Sequence, residues 1–283
     1  MIYLALAVVL GAGIYWVFKY AGGRQLDLFS VIMLNYPVCV LIGSLHIFFS
    51  IGFDAFGLPT ILWSAGIAFL FITMFNLMAE LTKKEGVATS SIVSRVSMIL
   101  PTLFFFGVHG HAMSLFNWAG LLLALVAVFL LNFKASGGSL VGWLPLIVFI
   151  GYGAVDIVLK LAETQLGHEE GSFHLLSTGT FLFAGVYGLI YKGFKGIKMD
   201  KKHVGTGVFL GLINYYAILF FLYALNKSSF SAAVIFPLNG ILILTLATLG
   251  SIFIFKEKVS LQKLIALGLA VGAIVLLSGD GEL

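Results

Sequence analysis

LFSVIMLNYPVCVLIGSLHIFFS, residues 28–50, runs for 23 positions without an Asp, Glu, Lys or Arg. A strand buried in a soluble core ends after about 4–8 residues, whereas a helix crossing a bilayer needs roughly 20 apolar ones. The stretch predicts a spanning helix, because lipid-exposed backbone must satisfy its own hydrogen bonds. Working outward, nine more apolar stretches bounded by charge, Gly or Pro lie at 2–20, 59–80, 87–107, 114–133, 141–162, 173–192, 204–226, 230–255 and 261–278. The expected fold class is an all-α polytopic membrane protein with ten transmembrane helices.

Composition agrees. Of 283 residues, 60% are hydrophobic and 10% charged, with a mean hydropathy of +1.10. A soluble domain carries about 25% charged residues, so this chain has too little charge to cover a water-facing surface. Ten helices use nearly all of its length and leave no soluble domain. The net charge of +4 points to anionic lipid at the loops and not to nucleic acid. The single Cys39 cannot form an internal disulfide and says nothing about redox compartment. Met1 leads directly into apolar sequence with no basic n-region, so the first helix is expected to be its own insertion signal.

Lys and Arg set the orientation. On the side opposite Met1 fall Lys19, Arg24, Lys83, Lys84, Lys134, five lysines between 192 and 202, Lys256, Lys258 and Lys263; on the Met1 side fall only Lys160 and Lys227. The count places both termini outside the cytoplasm, in the inner membrane if the cell is bacterial.

The halves 1–133 and 138–283 align. Gly66 and Ala79 match Gly211 and Ala224 at an offset of 145, and VATSSIVSRVSMI (87–99) matches FSAAVIFPLNGIL (230–242) at an offset of 143. Helices 5 and 10 begin with Ser-Leu, and helices 1 and 6 are expected to end at Lys19 and Lys160. Five helices is an odd number, so the second copy must insert upside down. Inverted repeats are a common plan of secondary transporters.

On these features the chain resembles the drug/metabolite transporter superfamily, in its ten-helix EamA-like branch. The resemblance rests on the duplicated five-helix unit, the lysines of helices 1 and 6, GLINYYAILFFLYALNKSSFSAA (211–233) followed by Pro237, and Glu257 in the loop between helices 9 and 10. His111 stands where the first copy would carry that glutamate, and Arg95 replaces an apolar residue beside the position equivalent to Pro237. The resemblance implies a central cavity lined by helices 1, 3, 4, 6, 8 and 9, with helices 5 and 10 packed together as scaffold. Gly268 and Gly272 form a G-x-x-x-G on helix 10, a pattern that permits close approach.

An ionisable group in the bilayer core costs about 2.5–3.5 kcal/mol on insertion scales and is a functional candidate by default. Arg95 lies about eight residues into helix 4, roughly 12 Å deep at 1.5 Å per residue, and shares a face with Ser91 at i−4. Facing a cavity it would bind a carboxylate or phosphate bidentately; otherwise it bonds carbonyls of a neighbouring helix. Asp156 is the acid well inside an apolar stretch, either a coupling-proton site or an i, i+4 partner of Lys160. Glu80, beside Lys83 and Lys84, is a second proton candidate or an interfacial ion pair. Asn35, Tyr36, Asn214, Tyr215, Asn239 and Trp16 place amides and aromatic rings at mid-depth, which suits an amphipathic organic substrate; interhelical hydrogen bonding is the alternative. His46 reads as interfacial.

Enzyme signatures are absent: His168-Glu169-Glu170…His174 has its second His two positions late for a zincin, and no Walker loop, G-x-S-x-G or metal cluster occurs. The expectation is a transporter, not an enzyme, with no cofactor or metal. It moves a small-molecule substrate, an amino acid or organic acid foremost, and exports it by alternating access with proton coupling. Multidrug or cationic-compound export is the alternative, and a channel or lipid scramblase the rival of another class. A monomer suffices for a duplicated unit; a homodimer is the other assembly considered.

Overall fold

A computed structural model of the chain describes residues 2–50, 57–97, 99–101, 103–104, 114–132, 142–166, 170–195, 200–227 and 232–278. Among these the regular elements are all helical: α1 (Ile2–Gly23), α2 (Leu28–Ser50), α3 (Leu58–Glu85), α4 (Val87–Val96), α5 (Leu115–Asn132), α6 (Leu144–Leu166), α7 (Glu170–Lys195), α8 (Val204–Lys227), α9 (Ala232–Phe255) and α10 (Leu261–Ser278). A 3-10 turn, Lys201–His203, precedes α8. His111, His168, Glu169, Lys134 and Lys198 lie outside the described residues, as do the side chains of Lys160, Lys227 and Pro237.

Among the described residues seven helices are long and apolar enough to cross a membrane: α1, α2, α3, α6, α7, α8 and α9. Shorter apolar helices are found at Val87–Pro101, Trp118–Ala127 and Leu261–Leu276. The chain is an integral, multi-pass membrane protein. Several helices overrun their apolar stretches. α1 continues to Gly23 and α6 to Leu166, so Lys19 and Lys160 lie inside helices and do not end them. α3 continues to Glu85 and α7 to Lys195, with Lys83, Lys84, Lys192 and Lys195 in their last turns. Lysine tolerates this because its stem lies along apolar surface while the ammonium reaches water, and a cation is favoured at a helix C-terminus.

The chain forms two compact units, each drawing on both sequence halves: residues 1–19, 78–154 and 216–283 in the first, 20–77 and 155–215 in the second. In the second unit α2 and α7 pack antiparallel in a regular ladder. Phe29 meets Tyr191 at 5.2 Å between ring centroids, Tyr36 meets Phe181 at 6.4 Å, and His46 meets His174 at 4.2 Å. Gly188 leaves room for Met33, and Gly43 for Thr178. Ile67, Ala162 and Leu176 form a core with Trp63, Val158, Leu159 and Leu166 around it.

α8 comes down on α2 in the same unit through Gly207 and Gly211. A Cβ on Gly211 would lie 2.6 Å from Val38 Cβ and 2.8 Å from the Asn35 carbonyl oxygen, and one on Gly207 would overlap Leu34. This G-x-x-x-G mediates close packing, whereas that of α10 does not. Among the described residues a Cβ on Gly268 would meet nothing within 4 Å, and one on Gly272 would touch only Leu123 at 3.6 Å, an ordinary contact. In the first unit α5 packs along α10, and α9 packs on α4 and α10; Gln262 Nε2 donates to the Leu130 carbonyl across the α5–α10 pair.

Candidate functional site

α4 carries the densest set of polar side chains in an apolar chain, and its own backbone absorbs most of them. Ser90 donates to the Gly86 and Val87 carbonyls, Ser91 to Ala88, Ser94 to Ser90 at 2.7 Å and Ser97 to Ser94 at 2.8 Å. Such back-bonding hides hydroxyls without a partner helix. Ser97 N still donates in the α-helical manner to the Val93 carbonyl at 3.2 Å, and Leu100 N donates to the Ser97 carbonyl at 2.9 Å, an i+3 bond.

Arg95 differs from its neighbours. It is half-buried while residues 87–94 are buried. Its Nε is enclosed without a hydrogen-bond partner, and no carboxylate pairs with it among the described residues. In the same unit Asn239 is buried on α9, and among the described residues neither its Oδ1 nor the hydroxyl of Thr248 has a partner. Tyr15 of α1 reaches Ser94 Oγ at 2.7 Å. Ser94 gives its hydrogen to the Ser90 carbonyl, so the phenol is the donor in this bond and fixes the turn that holds Arg95. Trp16 is anchored differently. Its Nε1 donates to the Ala247 carbonyl at 3.1 Å, and its indole lies where a Cβ on Gly250 would be.

The N-terminus of α4 is closed from a distance. Gly86 stands at its N-cap with φ 92° and ψ 170° and supplies no capping side chain. Instead Glu257 Oε2 accepts from the Val87 N–H at 3.3 Å and pairs with Lys19 Nζ at 3.6 Å. Lys263 Nζ donates to the Glu85 carbonyl at 2.5 Å beside it. A carboxylate is the right charge for the positive end of a helix.

The second unit holds a separate polar group. Asn214 Nδ2 of α8 donates to Asn35 Oδ1 of α2 at 3.1 Å, and the same oxygen accepts from Cys39 Sγ at 3.3 Å. Cys39 also reaches the Gly211 carbonyl at 3.4 Å. Asn35 Nδ2, the Tyr36 hydroxyl and the hydroxyls of Thr178 and Thr180 are buried with no hydrogen-bond partner among the described residues. Tyr215 is buried next to Asn214 and has its own partner.

The sequence-predicted residues thus fall into two groups. Arg95, Ser91, Asn239 and Trp16 belong to the first unit; Asn35, Tyr36, Asn214 and Tyr215 belong to the second, where the two asparagines bond each other. Glu80 pairs with Lys84 at 3.1 Å with both side chains well exposed. Asp156 is half-buried on α6 and is not without a partner. Sequence reasoning passed over the Tyr15–Ser94 bond, Thr178, Thr180 and the capping role of Glu257. A threonine pair in an apolar stretch was visible as a signal; the capping contact, 170 residues apart in sequence, was not.

Comparison with known proteins agrees with this architecture. Residues 140–279 match the EamA-like transporter family. A protein of Haemophilus influenzae (strain ATCC 51907 / DSM 11121 / KW20 / Rd), itself uncharacterised, is 28% identical over 193 residues, covering 66% of this chain. The chain spans 65% of that relative's own length. A protein of known crystal structure superposes with a TM-score of 0.63 at 15% identity, over 97% of this chain and 94% of the other, a likeness of fold alone.

Proposed function

We propose, from the match of residues 140–279 to the EamA-like transporter family, that the chain is a transporter of the drug/metabolite type and a secondary-active exporter of small metabolites bearing a carboxylate, amino acids or organic acids foremost. Two inverted five-helix repeats, 1–133 and 138–283, would exchange conformations to open each side in turn. Both termini face away from the cytoplasm in this reading, and one chain is the working unit.

The observation that carries the proposal is Arg95: a half-buried cation on α4, its Nε enclosed, with neither a hydrogen-bond partner for that nitrogen nor a protein carboxylate beside it among the described residues. A charge partly withdrawn from water without a counter-charge carries a desolvation cost, and a substrate carboxylate would offset it by a two-point, charge-assisted bond. Asn239, also unpartnered in that unit, offers an acceptor for a further polar group of the substrate. Proton coupling is assigned to Asp156. Asp156 is half-buried on α6, whereas the Glu80 side chain sits exposed beside Lys84, and exposure makes it the weaker of the two candidates.

The test is a ligand screen by thermal shift followed by counterflow in proteoliposomes. A ligand at 100 times its Kd stabilises by about 2.7 kcal/mol. Carboxylate-bearing compounds should shift the melt and exchange with saturation, and Arg95→Ala should abolish both responses. Unchanged substrate preference and KM in Arg95→Ala would remove Arg95 from the site. Flux without saturation or counterflow would replace the carrier by a channel.

A further inference from the structure

Within the second unit one imidazole joins two turns that are far apart in sequence. His203 ends the 3-10 turn before α8 and is 3% exposed. Its Nε2 accepts from the Asp27 N–H at 3.2 Å, and its Nδ1 lies 3.1 Å from the Asp200 carbonyl. An amide N–H can only donate, so Nε2 carries no hydrogen; Nδ1 then holds the proton and donates it to Asp200. The ring is neutral, with one tautomer and no spare lone pair.

Asp27 is the cap of α2. Its carboxylate accepts from Ser30 N at 2.9 Å and Ser30 Oγ at 2.5 Å, and its carbonyl accepts from Val31 N at 3.1 Å. The imidazole therefore holds the residue on which α2 begins. We propose that His203 is a proton-sensitive latch between the α1–α2 and α7–α8 turns, on the face that the lysine count assigns to the cytoplasm. A proton added at Nε2 turns the acceptor into a donor pointing at another donor. The bond to Asp27 cannot survive this, and the ring must turn away.

Both carboxylates on these turns are engaged: that of Asp27 accepts from Ser30, and that of Asp200 accepts from the Lys202 N–H and pairs with Lys202 Nζ at 3.6 Å. Lys201 follows in the same turn, Lys195 closes α7, and Arg24 lies over the Tyr20 ring, 5.6 Å from its centroid. Imidazole is the side chain that changes charge between about pH 5 and 8, so acidification of that face would release the turn whatever the protein transports.

The experiment is amide hydrogen exchange of the purified full chain, with fragmentation to resolve Asp27 and correction for the pH dependence of intrinsic exchange. Protection of Asp27 should fall on the order of tenfold between about pH 7.5 and about pH 5.5. His203→Gln keeps an acceptor at the Nε2 position without a titrating group, so its protection should stay constant. Equal protection at both pH values in the wild type, or a parallel fall in His203→Gln, would overturn the latch. Nitrogen-15 histidine spectra of the wild type supply an independent check that needs no variant: a hydrogen on Nε2 at neutral pH would equally overturn it.

Discussion

Replacing Gly86 by alanine separates two roles that one glycine combines. Its backbone stands at φ 92° and ψ 170°, a region essentially closed to residues with a Cβ, and occupying it costs about 1–3 kcal/mol. The new methyl would also overlap the Glu257 carboxylate. That carboxylate must then leave the Val87 N–H and Lys19. A long capping bond of 3.3 Å contributes about 0.5–1.5 kcal/mol, and the partly exposed ion pair about 0–1 kcal/mol. The total for Gly86→Ala is about 1.5–5.5 kcal/mol. In a Glu257→Ala background the overlap is gone and about 1–3 kcal/mol of backbone strain remains, so the double-mutant cycle should give a coupling of about 0.5–2.5 kcal/mol. Unfolding in mixed micelles by SDS titration, followed by circular dichroism, measures each corner. A Gly86→Ala loss below about 1 kcal/mol would refute the backbone argument. A loss equal in both backgrounds would refute the role of Glu257 as the cap.

The two G-x-x-x-G pairs predict opposite outcomes in the same assay. Gly211→Ala should destabilise by about 1–3 kcal/mol through overpacking against Val38 and the Asn35 carbonyl, while Gly268→Ala should be neutral or stabilising by up to about 1 kcal/mol. Tyr15→Phe should cost about 1 kcal/mol from the lost bond to Ser94, and it should raise KM for a carboxylate substrate through the loosened Arg95 turn. The Lys202 N–H, followed by the Lys202 ammonium, holds the Asp200 carboxyl below its ordinary value. A depressed folded value contributes stability above the unfolded one, and that stability is lost as pH falls through the folded value. Local exchange protection of Lys202 should therefore drop only under acid, and Asp200→Asn should flatten that dependence.

The ten helices were legible because charge-free runs longer than a strand have few other readings in a chain this apolar. Their ends were less so: Lys19 looks like a boundary in sequence, yet the helix carries it past the apolar stretch to Gly23. Gly207/Gly211 and Gly268/Gly272 present one pattern with two outcomes, since spacing shows that small residues share a face and not whether a neighbour fills it. Arg95 stood out as a lone cation, and the structure adds that its Nε has no partner. The bond between Asn35 and Asn214 joins residues 179 apart, and no local pattern could select it.

The capping of α4 has a consequence for how the protein is made. Val87 and Glu257 are 170 residues apart. At roughly 5–20 residues per second, synthesis separates them by on the order of ten to thirty seconds. Through that interval the nascent helix that bears Arg95 and three serines must wait in the translocon or the lipid with its leading amide unclosed. A chain interrupted after α5 contains α4 whole and still lacks this cap, because Glu257 follows α9. Residues 1–132 on their own would have to close the first amide of α4 with some other acceptor, since Gly86 brings no side chain to do it.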